Sequence, residues 1–198
     1  VSQAAMSDDD CRRRVRVKNL DEVLSDLRGR DALLSTAHFG CWEYDSFLAL
    51  YTGEHYLAAV YHPLENKVID AVYMRLRRRR NIRLIPMKEI IRYYIDHRLP
   101  AGAPGQRIGI GLIADQNPPL RPNSHWFRFL NQDTVFFDGI EKMALKFHMP
   151  VYFCRQRRLR RGYYELEFLR LYDGVEQVAP NEVTERYVRQ LESDIVAD

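Results

Sequence analysis

Apolar and polar positions along the chain alternate between short apolar runs and stretches with helical spacing. Leu20, Val23, Leu24 and Leu27 predict a short helix stopped by Gly29. The run Leu33-Leu34-Ser35-Thr36-Ala37 predicts a buried strand, and a helix follows from Trp42 to about Tyr51. His55 to Tyr61 predicts the next strand. Val68, Ile69, Val72, Tyr73 and Leu76 give one apolar face to a helix from Lys67 to Arg80. Arg83 to Pro86 predicts a short strand, and Ile90, Ile91, Tyr94 and Ile95 a helix to about Arg98.

After the loop from Pro100 to Gly105, Arg107 to Ala114 predicts a central strand whose glycines allow close approach of a neighbour. Its Gly109/Gly111 pair is no nucleotide fingerprint, because no glycine-rich turn feeds a helix behind it. Residues 118–133 predict a long polar and aromatic loop carrying His125, Trp126, Phe127 and Phe129. A helix around Ile140 to Phe147 comes next. Strands Val151–Cys154 and Tyr163–Phe168 then flank a basic turn from Arg155 to Gly162, and a last helix runs from Glu182 to Val196. Strands alternating with helices predict an α/β domain over 17–198, behind a polar lead-in at 1–16. Its central sheet is mixed, mostly parallel and flanked by helices.

Composition narrows the class. With 198 residues, 46% hydrophobic and 12% aromatic, the chain can bury a core without staples. Three separated cysteines, Cys11, Cys41 and Cys154, form neither a disulfide framework nor a zinc pattern. No apolar run reaches the roughly 18 residues of a membrane span. Net charge is only +3, but 25 of the 30 basic residues are arginine, and they cluster. Arginine's planar fork suits phosphate and carboxylate, so anionic partners are expected.

The chemistry concentrates at Ala37-His38-Phe39-Gly40-Cys41-Trp42-Glu43. The strand delivers His38 to its end, and Glu43 follows about one helical turn later. A histidine held by a carboxylate has one tautomer fixed and its other nitrogen made more basic. A second strand ends on the polar pair Asp115-Gln116, and ligands of open α/β sheets bind beyond the carboxyl ends of strands. The remaining histidines, His55, His62, His97, His125 and His148, lack metal-ligand spacing, so no metal or cofactor is expected.

The wording of these blocks resembles the bacterial lipid A biosynthesis acyltransferases, closest to their Bacteroidetes branch. "HFGCWE" is similar to the family's His-Phe/Tyr-Gly-Asn-Trp-Glu signature, and "IADQNPP" to its Asp-Gln block. "FLNQDTVFFDGIEKMALKFHMPVYF" and "RRGYYELEF" resemble the segments that follow, so the likeness runs from about Val17 to the end. Cys41 departs from it, standing where the family carries an amide, and Asn81 replaces a frequent glycine. The chain opens on Val1 without the family's membrane helix or Trp- and Arg-rich tail, and reads as the core of a longer protein.

The resemblance implies a glycerolipid-acyltransferase-like fold and transfer of a fatty acyl chain from an acyl-carrier thioester to a hydroxyl of a lipid A precursor. His38 is then the base and Glu43 its orienter. Arg75, Arg77, Arg78, Asp115 and Gln116 are the substrate-binding candidates, with Asp115 and Gln116 also placed to brace the His38 loop. The implied partners are acyl carrier protein, the lipid A precursor and a membrane surface, at the cytoplasmic face of the inner membrane. The five arginines between Arg155 and Arg161 are the expected membrane patch, provided all face one way. Alternative acceptors are a lysophospholipid, a glycolipid or an aminolipid. A nucleic-acid-binding module is a rival from another class, but it leaves the His38 block idle and shows no recognised motif. An inactive fragment is the remaining reading.

Overall fold

A computed structural model describes residues 6–51, 53, 55–66, 68–71, 74 and 82–197, and of Trp42 and Glu43 the backbone only. The chain forms α1 (Asp8–Arg14), β1 (Val15–Val17), α2 (Leu20–Asp26), β2 (Ala32–Thr36), a 3₁₀ helix (Trp42–Leu50) and β3 (His55–Tyr61). It continues through β4 (Ile82–Pro86), α3 (Ile90–His97), β5 (Arg107–Ile113), β6 (Trp126–Phe129) and β7 (Gln132–Val135). The last elements are α4 (Gly139–Phe147), β8 (Val151–Arg160), β9 (Tyr163–Tyr172) and α5 (Glu182–Ala197). A seven-stranded sheet runs β1-β9-β8-β2-β5-β3-β4, parallel at every pairing but the β8/β9 hairpin. The expected mixed, mostly parallel α/β sheet is therefore observed.

Alternating side chains fill two cores. Leu33, Ala58, Ile108, Ile110 and Phe153 pack on one face against Ile90 and Tyr94 of α3, Met143 of α4, and Tyr187 and Leu191 of α5. Ala32, Leu57, Ile82, Tyr152 and Leu166 pack on the other against Cys11, Val23 and Phe47. Strands buried on both sides read as near-continuous apolar runs, broken here by the buried polar residues Ser35, His55 and Arg107.

Four elements differ from the sequence pattern. The lead-in at 1–16 includes a helix, Asp8–Arg14, and most of an edge strand, Val15–Val17, with Cys11 and Val15 fully buried. The segment after His38 winds as a 3₁₀ helix rather than an α-helix. The expected loop 118–133 contains most of a hairpin, β6/β7, turning through Leu130 and Asn131 at φ 48° and 64°. That left-handed pair is the geometry of a two-residue hairpin turn, and Glu192 accepts the Leu130 N–H at 2.6 Å. Apolar alternation was too short there to see. Finally, β8 and β9 extend through the basic segment, leaving only Arg161-Gly162 as the turn.

This last difference removes the condition placed on the arginine patch. Arg155 is half-buried and committed to Asp194 at 2.9 Å and Glu167 at 3.4 Å. Strand alternation sends Arg157 and Arg158 to opposite faces. The five arginines do not share one surface.

A buried carboxylate joins the last helix to the core. Glu141 accepts the Asn181 N–H at 2.7 Å, the Thr184 N–H at 2.8 Å and the Thr184 hydroxyl at 2.7 Å. It so satisfies the otherwise orphaned donors at the start of α5. Glu141→Ala leaves these donors buried and is expected to cost about 3 kcal/mol. A urea midpoint unchanged from wild type would contradict this.

Candidate active site

The chain passes from β2 to β3 and β4, then returns with β5 inserted between β2 and β3. Thr36 pairs with Ile113, so the residues two beyond each strand end come to lie side by side. These are His38 and Asp115. One carboxylate oxygen of Asp115 accepts the His38 backbone N–H at 2.8 Å, and the other faces His38 Nδ1 at 2.8 Å. A carboxylate only accepts, so a neutral His38 ring carries its proton on Nδ1 and its basic lone pair on Nε2. The imidazole side chain is 39% exposed and the carboxylate 20%, which leaves the ring reachable.

The loop behind His38 is clasped by β8. Gly40 turns at φ 75°, and a Cβ there would overlap the Gln156 side-chain oxygen. That oxygen accepts the Cys41 N–H, while Gln156 Nε2 donates to the Cys41 carbonyl at 3.1 Å and to Asp45 Oδ1 at 3.3 Å. Asp45 also accepts the Thr36 hydroxyl at 2.9 Å, tying the 3₁₀ helix to the end of β2. Tyr187 donates to the Thr36 carbonyl at 3.0 Å, and burial, then the Asp115 charge, raises its phenol well above the ordinary value. Gln156 and Asp45 escaped the sequence reading. Gln156 sits inside an arginine run, and Asp45 lies two residues beyond the motif, so neither carried a local signal.

His38 stands on a cavity of about 630 Å³ whose walls are mainly apolar. One branch follows the sheet face carrying Leu34, Ala59, Leu84 and Gly111. Another lies against Ile90 of α3 and Ile140, Met143 and Phe147 of α4. Gln116 also lines the cavity. Cys154 lines it too, but full burial, then the nearby Asp45 charge, pushes its thiol well above the ordinary value. A thiol held protonated is a poor nucleophile, so Cys154 is unsuited to carry an acyl group.

Among the sequence candidates, the structure brings together His38, Asp115 and Gln116. Glu43 lies in the first turn of the 3₁₀ helix, and its side chain is outside the described residues. Arg75, Arg77 and Arg78 also lie outside them. Among the described residues, no helix is long and apolar enough to cross a membrane, and no group of three or more His, Cys, Asp or Glu residues could hold a metal ion.

No curated protein matches the chain. Residues 2–198 match the family described as bacterial lipid A biosynthesis acyltransferase. A histidine backed by a carboxylate, opening on an apolar cavity, is what acyl transfer to a lipid calls for. The chain belongs to the bacterial lipid A biosynthesis acyltransferase family, and it is an acyltransferase.

Proposed function

We propose that the protein moves a fatty acyl chain from an acyl carrier protein thioester to a hydroxyl of a lipid A precursor, with His38 as the base. The observation that carries this reading is the His38–Asp115 pair, 2.8 Å apart at the edge of an apolar cavity. A hydroxyl is a weak nucleophile at neutral pH, so its proton must leave as its oxygen attacks the thioester carbon. His38 Nε2 takes that proton, and Asp115 stabilises the imidazolium that forms. The C–O bond forms, the C–S bond breaks, and the departing thiolate recovers the proton from the imidazolium. Glu43 keeps the role given by its place in the motif, a carboxylate acting with His38. Arg75, Arg77 and Arg78 remain the candidates for the acceptor's phosphates, and Gln116 for positioning within the cavity. Work at the cytoplasmic face of the inner membrane follows from the family's substrate, a membrane lipid.

The test compares purified protein supplied with acyl carrier protein or coenzyme A thioesters and a panel of acceptors, read by mass. The panel holds a lipid A precursor, a lysophospholipid and an aminolipid. Gain of one acyl chain on the lipid A precursor from the carrier-protein donor supports the proposal. Transfer only to another acceptor overturns the lipid A assignment, and a trapped acyl-protein overturns direct transfer.

A further inference from the structure

The cavity branch on the Leu34–Gly111 face has a defined end, and its floor is a glycine in the middle of the sheet. Gly111 pairs with Leu34 on one side and Ala59 on the other, and Ala59 pairs with Leu84. These four residues form one row across four strands, all lining the cavity. Two residues deeper, about 7 Å along the strands, the row is Ala32, Gly109, Leu57 and Ile82.

The two glycines meet different surroundings. A Cβ on Gly109 would come within 3.1 Å of Leu57 Cδ2 and 3.7 Å of Leu34 Cδ1. The Leu57 and Leu34 side chains cover Gly109, Leu57 and Ile82 wall the cavity at this row, and a separate cavity of about 30 Å³ lies at Gly109. A Cβ on Gly111 would meet no described atom within 4 Å. Burial follows the same step, since Leu57 and Gly109 are buried whereas Ala59 and Gly111 are partly exposed. Neither glycine has a left-handed φ, so no conformational demand explains a glycine at 111. Glycine weakens a strand interior, and here its missing side chain widens the cavity floor.

The two branches also differ in charge. The branch along α4 carries Lys142 and Lys146. Among the described residues, the Gly111 branch carries one ionised side chain, Asp45, already engaged by Thr36 and Gln156. Apolar walls beside the Asp45 carboxylate suit an uncharged hydrocarbon and disfavour a phosphate.

We infer that the Gly111 branch holds the hydrocarbon tail of the acyl donor, and that the space over Gly111, which no described side chain fills, sets the longest chain accepted. The inference rests on the acyl-transfer reading and adds to it the residue that measures the chain. A side chain at 111 fills the floor just before the row where Leu57 and Leu34 cover Gly109, so it shortens the groove from its far end and leaves the mouth at His38 unchanged. Rejecting a methylene in an apolar pocket is worth about tenfold or more in kcat/KM.

The experiment uses Gly111→Ala and Gly111→Val, substitutions that suit a strand as well as glycine or better, each checked for folding by thermal melting. Saturated free fatty acids from octanoate to palmitate are titrated by thermal shift, and carrier-protein thioesters of the same lengths are compared in the transfer assay. In the wild type, affinity rises along the ladder. Gly111→Val should weaken palmitate by about tenfold or more while sparing octanoate, with Gly111→Ala intermediate and donor preference moving in parallel. An unchanged length profile, equal weakening at every length, or a change confined to the acceptor's KM overturns the inference. If the wild type transfers no acyl group yet its length limit for fatty acids still depends on Gly111, the chain-measuring groove stands and the hydroxyl-transfer reading falls. Should Gly111→Val fail to fold, the profile of Gly111→Ala decides.

Discussion

His38→Ala is expected to lower acyl transfer by about 10²–10⁴-fold, the usual contribution of a positioned general base, with the fold intact. Its side chain is partly exposed and outside both cores, so the melting temperature should barely move. Asp115→Asn is the more discriminating variant. The carboxylate accepts from the His38 backbone N–H with one oxygen and faces Nδ1 with the other. An amide offers one acceptor and one donor group. If its oxygen keeps the backbone N–H, its NH₂ faces Nδ1, which must then become the lone-pair nitrogen. The proton moves to Nε2 and the base is lost. If the amide is turned over, two donors confront each other at the backbone. Either way turnover should fall by roughly 10²-fold or more, with a smaller change in KM. Wild-type kcat in Asp115→Asn would show that this carboxylate does not set the tautomer.

Gly40→Ala is the second large effect. The φ of 75° at Gly40 costs an L-residue about 1–2 kcal/mol, and the new methyl would overlap the Gln156 oxygen that accepts the Cys41 N–H. Either the loop or Gln156 must move. The loop carries His38 only two residues earlier, and a displacement near 1 Å at a reacting group costs about 10²-fold. The expected result is a kcat about 10²-fold lower with KM little altered, measured beside the melting temperature. Gln156→Ala removes the obstacle but also the clasp, so it should not rescue Gly40→Ala. Full activity in the double variant would reassign Gln156 to a purely steric role.

Cys41 illustrates how the fold absorbs a departure from the family's wording. The Gln156 clasp grips its backbone N–H and carbonyl, so the loop's hydrogen bonds on that side do not depend on the side chain at 41. The Cys41 side chain instead meets the Tyr164 hydroxyl.

Much of the fold was readable because apolar runs in a parallel sheet are continuous and local. β2, β3, β5 and α4 stand within a residue or two of where spacing put them. The failures share a cause. β1, β6 and β7 are three or four residues long, too short for alternation to exceed chance, and their burial depends on distant partners. The arginines of β8 resembled a turn by composition, yet pairing with β9 outweighed composition.

By itself, the sequence determined the α/β class, His38 at a strand end, the motif block around it and the family likeness. These follow from neighbouring residues, whose spacing is fixed by the covalent chain. Only the tertiary structure decided that Asp115, 77 residues away, faces His38 Nδ1. The sheet order inserts β5 beside β2, and the register sets Ile113 against Thr36. It likewise decided that Gln156 closes the His38 loop from 115 residues away, and that a side chain would meet Leu57 and Leu34 at Gly109 but no described atom at Gly111. Strand order, register and the side chains across a sheet are products of the whole packed core, and no local stretch encodes them.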